Sequence, residues 1–137
     1  MDELVEFLRA RLDEDERVAQ AAGGAWVDGP AANWVTAVPV GESSGPVHRV
    51  ALAITGGERD HIVRHDPARV LAEVDAKRRL LAEHELVPAG QGGELGCDIC
   101  VATPSWGPEV VSGPCTTLRL LALPFADHPD YREAWRP

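Results

Sequence analysis

Three cysteines and four of the five histidines carry most of the chemistry that can be read from this sequence. Cys97-Asp98-Ile99-Cys100 is a Cys-x2-Cys segment, the spacing at which two thiolates reach one metal ion while the backbone N–H groups of the turn point at the sulfurs. Cys115 follows Cys100 after fourteen residues. It opens a predicted helix, whose unpaired first amides and positive dipole end favour a thiolate. A structural zinc site takes four tetrahedral ligands. The fourth is expected to be His84, on the last turn of a long predicted helix and separated from Cys97 by twelve residues; His128 is the alternative. His84 follows Leu81 by three and Leu80 by four, so it continues the side of the helix that turns inward. One zinc ion held by His84, Cys97, Cys100 and Cys115 would fasten that helix to a C-terminal hairpin and so contribute to folding itself. Two other readings compete. The cysteines could be buried as small apolar residues without a ligand, or Cys97 and Cys100 could form a redox pair with Cys115 incidental. A redox pair belongs at a strand end within a βαβ pattern, and nothing before Cys97 has that form.

Asp60-His61-Ile62-Val63-Arg64-His65-Asp66 holds histidines at i and i+4, the spacing that puts two imidazoles on one helical face and serves hydrolytic zinc sites. The glutamate of a His-Glu-x-x-His motif is missing, because Ile62 follows His61, and with it the usual general base for attacking water. A histidine-rich helix start is the plain alternative. Gly90-x-Gly92-Gly93 has no strand before it and no helix after it, so it does not read as a phosphate loop.

The elements that must position these residues follow from periodicity. Asp2 to about Ala22 reads as an amphipathic helix, with Leu4, Val5, Leu8 and Leu12 at helical spacing and Val18 and Ala19 extending the stripe. Gly23-Gly24 ends it, and the acidic run Asp13 to Glu16 is a solvated face. Trp34 to Val38 and Val47 to Ile54 are β-branched runs separated by Pro39, Gly41, Gly45 and Pro46, which predicts a hairpin. Glu58 to His65 suits a short helix. Asp66-Pro67 starts the long helix, Asp66 as N-cap and Pro67 where its missing donor does no harm, and that helix runs to about Glu85. Val87 to Gly93 reads as a loop, Thr116 to Leu123 as a short helix stopped by Pro124, and Pro129 to Trp135 as a last turn. The expected fold is α+β: N-terminal helix, small hairpin or sheet, long central helix, and a zinc-bound C-terminal loop with short helices. Residues 1–137 are expected to form a single domain, with a helix/hairpin/helix core at 1–86 and a zinc-binding segment at 87–137.

Composition narrows the function. The formal charge of −9 argues against general affinity for nucleic-acid phosphates, which runs on clustered Lys and Arg. Lys77 is the single lysine, a bias that fits coding by a GC-rich genome. No apolar run reaches the length of a membrane span, and Met1-Asp2-Glu3 lacks the basic and apolar regions of a signal peptide, so a cytoplasmic location is expected. An odd number of cysteines in a reducing compartment points to metal before disulfide. Tyr131 and Trp135 either pack on the core or form a small aromatic platform for a partner.

HDPARVLAEVDAKRRLLAEH, then CDIC, then PCTTLRLLALPFADHPDYREAWRP resembles a family of small actinobacterial and actinophage proteins to which no activity is assigned. In that family a helix beginning His-Asp-Pro-Ala leads to a histidine, a Cys-x2-Cys, a Pro-Cys-Pro-Thr and a terminal HPDY segment near a tryptophan. The resemblance implies the same set here: His84, Cys97 and Cys100, Pro114-Cys115, and His128 to Trp135. Thr116 stands where the family often has proline, and the loop from Val101 to Gly113 is longer than the family spacing; Trp106 within it either covers the metal or is exposed. The expected function is a non-enzymatic, zinc-stabilised interaction or regulatory module with a protein partner, as an accessory protein of a phage or mobile element. A metal-dependent hydrolase using His61 and His65 with Asp60 or Asp66, and an acidic nucleic-acid mimic, are the alternatives.

Overall fold

The structure, a computed structural model, describes residues 2–29, 33–38, 48–89, 93–105, 107 and 109–137. Trp106, the turn residues Pro39, Gly41, Gly45 and Pro46, and Gly90 and Gly92 of the glycine loop lie outside the described residues. The class is α+β as expected. The elements are α1 (Glu3–Ala22), β1 (Ala25–Asp28), β2 (Trp34–Val38), β3 (His48–Leu52), α2 (Gly56–Arg64), α3 (Pro67–Glu83), β4 (Leu86–Ala89), β5 (Glu94–Ala102), β6 (Glu109–Ser112) and α4 (Thr116–Ala122), with short 3-10 turns at Leu123–Phe125 and Glu133–Trp135. Among the described residues no helix is long and apolar enough to cross a membrane. Two compact units divide the chain, one of Met1–Asp13 with Ala76–Pro137 and one of Glu14–Asp75. The divisions fall inside α1 and inside α3.

In the Glu14–Asp75 unit, β1, β2 and β3 form an antiparallel sheet in that order. The central strand β2 carries the buried Val35, Thr36 and Ala37. The hairpin expected from the β-branched runs is therefore two strands of a three-stranded sheet, and Trp26-Val27 supplies the third. Gly23 and Gly24 end α1 at φ +61° and +71°. A Cβ on Gly24 would stand 2.8 Å from the Val38 carbonyl oxygen, so handedness and the close approach of β2 both call for glycine there. Asp66 caps α3 as expected, its Oδ1 accepting the Arg69 N–H at 2.8 Å. Its Oδ2 accepts the Trp26 N–H at 3.3 Å.

α2 starts earlier than its first charged residue suggests. Thr55 Oγ1 accepts the Glu58 N–H at 3.2 Å, and the Glu58 carboxylate accepts the N–H groups of Thr55 at 2.8 Å and Ile54 at 2.9 Å. This reciprocal cap satisfies donors that a helix start otherwise leaves to water, and it lets Gly56-Gly57 take the first turn.

In the other unit, β4, β5 and β6 form a second antiparallel sheet in that order. The segment after Leu86 is a strand as far as Ala89 where the sequence reads as loop. Pro88 is tolerated because β4 is an edge strand, where one missing donor faces away from the ladder. Leu4, Phe7, Leu8 and Leu12 of α1 are buried, as are Leu118 and Ala122 of α4 and Trp135. The Phe7 ring centroid lies 5.1 Å from that of Trp135, 6.0 Å from Tyr131, 5.7 Å from His128 and 6.3 Å from Phe125. Arg132 closes the cluster with a two-pronged ion pair to Glu3, one contact at 2.9 Å. Tyr131 and Trp135 are thus packing residues of an aromatic core, and Trp135 is buried within it.

Phe7→Ala should remove the centre of this cluster and lower stability by about 3 kcal/mol or more, read as a lower urea midpoint with little change in slope. Thr55→Ala should cost about 1 kcal/mol locally, read as faster amide exchange within α2. The Thr55 and Ile54 N–H groups hold the Glu58 carboxyl below its ordinary value. Its support for α2 is therefore complete above the ordinary carboxylate pKa and lost as pH falls through the lower folded value. Carbon chemical shifts across α2 should report that loss at a pH below ordinary glutamate titration.

Candidate metal centre

β5 runs in register until Cys97, which stands opposite Leu86 on β4 and Val111 on β6. The next partnership with β6 is Val101 with Val110. Four residues of β5 thus match one step of β6, and Asp98, Ile99 and Cys100 stand outside that ladder. In a regular strand, side chains three apart point to opposite faces. The bulge re-aims Cys100 so that its sulfur joins that of Cys97. Gly96 admits the flanking strands beside this point: a Cβ there would meet Val110 Cγ1 at 2.6 Å and Ala89 Cβ at 2.9 Å.

His84 directly follows α3, and its N–H bonds the Leu80 carbonyl at 3.1 Å, completing the last turn. Leu81, three residues before it, is buried while Leu80 is exposed, so the inward side of the helix passes through Leu81 to His84. Cys115 is the N-cap of α4, at φ −69° and ψ 166°. Its sulfur makes no cap hydrogen bond to the first-turn amides, contrary to the support expected from them, because it is turned toward His84. Arg119 secures this start, its Nε donating to the Pro114 carbonyl at 3.0 Å. The Gly113 N–H donates to the Leu95 carbonyl at 2.9 Å and ties the preceding segment to β5.

The result is a compact donor set. His84 Nδ1 lies 3.4 Å from Cys97 Sγ, 3.4 Å from Cys100 Sγ and 3.7 Å from Cys115 Sγ, and all four donor atoms lie within 4.8 Å of one another. Cys97 and Cys115 are buried, Cys100 and His84 half-buried. Burial pushes the Cys100 thiol up to about 11, and the Cys97 and Cys115 sulfurs add to the shift. Three thiolates crowded together disfavour one another's ionisation, whereas a divalent cation at their centre reverses that preference. The arrangement can hold a metal ion, and the chemistry of the donors fits one.

The other expected candidates lie elsewhere. His128 packs against Phe7, and its Nδ1 accepts the Asp130 N–H at 3.1 Å. His61 and His65 stack with centroids 4.5 Å apart on exposed positions of α2 and its C-cap. Asp60 pairs with Arg59 at 2.8 Å, and Asp66 is engaged by backbone N–H groups. Among the described residues, the single group of three or more His, Cys, Asp or Glu donors brought together for an ion is His84 with the three cysteines.

A histidine scan should separate these roles. His84→Ala should weaken metal affinity by more than about tenfold, the scale already reached when a mere outer partner of a ligand is lost, in competition with a chromogenic chelator. His128→Ala and the double variant His61→Ala/His65→Ala should leave affinity within about twofold of the parent on the same scale.

No curated protein and no solved structure matches the chain. Residues 1–137 match the family of unknown function DUF6221, and the chain belongs to that family.

Proposed function

We propose that the protein is a zinc-stabilised interaction module in which the ion is a structural component and not a catalyst. The observation that carries the zinc assignment is the set of sulfur–nitrogen separations. With Zn–S about 2.3 Å and Zn–N about 2.0–2.1 Å, a regular tetrahedron has S···N edges of about 3.5 Å. The three separations from His84 Nδ1 are 3.4, 3.4 and 3.7 Å. Three thiolates and an imidazole in tetrahedral array suit zinc by softness and geometry. Four protein donors fill the shell, the mark of a structural site, whereas a catalytic zinc keeps one position for water or substrate.

The interaction half of the reading is supported by aliphatic residues exposed close to the donors. Ile99 is 58% exposed, Val101 49% and Val110 39%. Val101 and Val110 are cross-strand partners, so their side chains share a face of the sheet. Exposed apolar side chains that share a face are compatible with a contact site. The negative charge disfavours nucleic-acid backbone as the partner, leaving a protein. An accessory role in an actinobacterium, its phage or another mobile element is the setting that the sequence resemblance suggests.

Purified protein should carry about one zinc per chain, because one such donor set takes one ion, and elemental analysis measures it. Removing the metal under reducing conditions should lower the melting temperature, and Cys97→Ser should lose metal and fold together. An unchanged melting temperature in metal-free, reduced protein would end the structural role. In cobalt-substituted protein, visible bands unmoved by azide or cyanide would agree with a filled shell, while a shifted spectrum would favour an open, catalytic site.

A further inference from the structure

The three sulfurs of the donor set are not equally protected. Cys97 is 0% exposed and Cys115 1%, whereas Cys100 is half-buried. Its neighbours Ile99 and Val101 are among the exposed apolar residues. Cys100 also closes the stretch of β5 that has no partners on β6, so that side of it can move without breaking the β5–β6 ladder. Three thiolates and one neutral imidazole around a divalent ion sum to a single negative charge, which leaves the sulfurs electron-rich, and reaction then follows access.

We propose that Cys100 is a modification site, the sulfur through which a small hydroperoxide oxidises the metal centre. This rests on the zinc reading and adds its regulation. Cys100 Sγ attacks the distal oxygen of the hydroperoxide, the O–O bond breaks, an alcohol or water leaves with one proton, and Cys100 becomes a sulfenic acid. Cys97 Sγ, three residues away, attacks that sulfur. The S–S bond forms as the S–O bond breaks, and hydroxide leaves as water with a second proton. Overall, two thiolates, one hydroperoxide and two protons give one disulfide, one alcohol and one water. The thiolates lose two electrons and the peroxide gains them. Zinc, left with His84 and Cys115, departs as the unchanged divalent ion, and the tie between the end of α3, β5 and the start of α4 goes with it. A hydroperoxide signal would thereby be converted into loosening of the Ile99, Val101 and Val110 surface.

The test uses the full zinc-loaded chain, hydrogen peroxide as the probe, a chromogenic chelator to read released zinc, and peptide mass mapping. One zinc should be released for each Cys97–Cys100 disulfide formed, with the protein lighter by two hydrogens. In unoxidised protein, sub-stoichiometric N-ethylmaleimide should label Cys100 roughly tenfold faster than Cys97 or Cys115, as accessibility directs. That measurement needs no variant. Equal labelling, labelling of Cys97 first, or zinc retained under excess peroxide in a chain shown to carry it would overturn the proposal and leave the zinc reading standing. A purified chain without zinc would overturn both.

Discussion

The out-of-register stretch of β5 between Cys97 and Val101 is the constraint on which the grouping of His84 with the three cysteines depends. A regular strand would send the two sulfurs to opposite faces of the sheet, and no rotamer of Cys100 would recover the lost geometry. Once three residues leave the β6 ladder, the fixed points around Cys97 do the rest. Leu86 sits opposite it, so the helix end at His84 is two residues away along the chain. The Gly113 to Leu95 hydrogen bond brings the other approach to Cys115. Distant parts of the sequence meet through sheet register, with little demand on long side chains.

The same unit has an apolar anchor in the aromatic cluster around Phe7. Cluster and donor set divide the work: one is apolar, insensitive to redox state and centred on α1, and the other is polar and depends on thiolates. His128, a plausible ligand by residue type, is spent on the apolar anchor, where its ring packs and its Nδ1 accepts a backbone N–H. The exposure that distinguishes Cys100 from Cys97 and Cys115 therefore lies in the donor set and not in the apolar cluster.

Much of this was legible beforehand, for physical reasons that can be named. The long helices announce themselves through apolar spacing and through Asp66-Pro67, whose cap is made as the residue types require. The grouping of His84 with the three cysteines was legible because thiols and imidazole at those spacings have few other uses, and because Leu81 fixes which side of the helix His84 occupies. The second sheet was hidden. Pro88, Gly96 and the bulge each interrupt the alternation by which strands are recognised, although a Cys-x2-Cys inside a strand already demands such an irregularity. β1 was missed because four residues offer too short a pattern. Thr55-x-x-Glu58, by contrast, was a readable start signal, masked by the two glycines between.

Because residues 14–75 form a compact unit between the two parts of the other, synthesis order imposes a waiting time. A ribosome delivers residues 14–75 complete while Leu4, Phe7 and Leu8 have already emerged without their partners in the later part of their own unit. The Glu3 to Arg132 pair spans 129 positions, and its second half is made after all three cysteines. At about 5–20 residues per second, the apolar stripe at the start of α1 stays uncovered for roughly 6 to 25 seconds. During that interval the nascent chain is most open to aggregation and to chaperones.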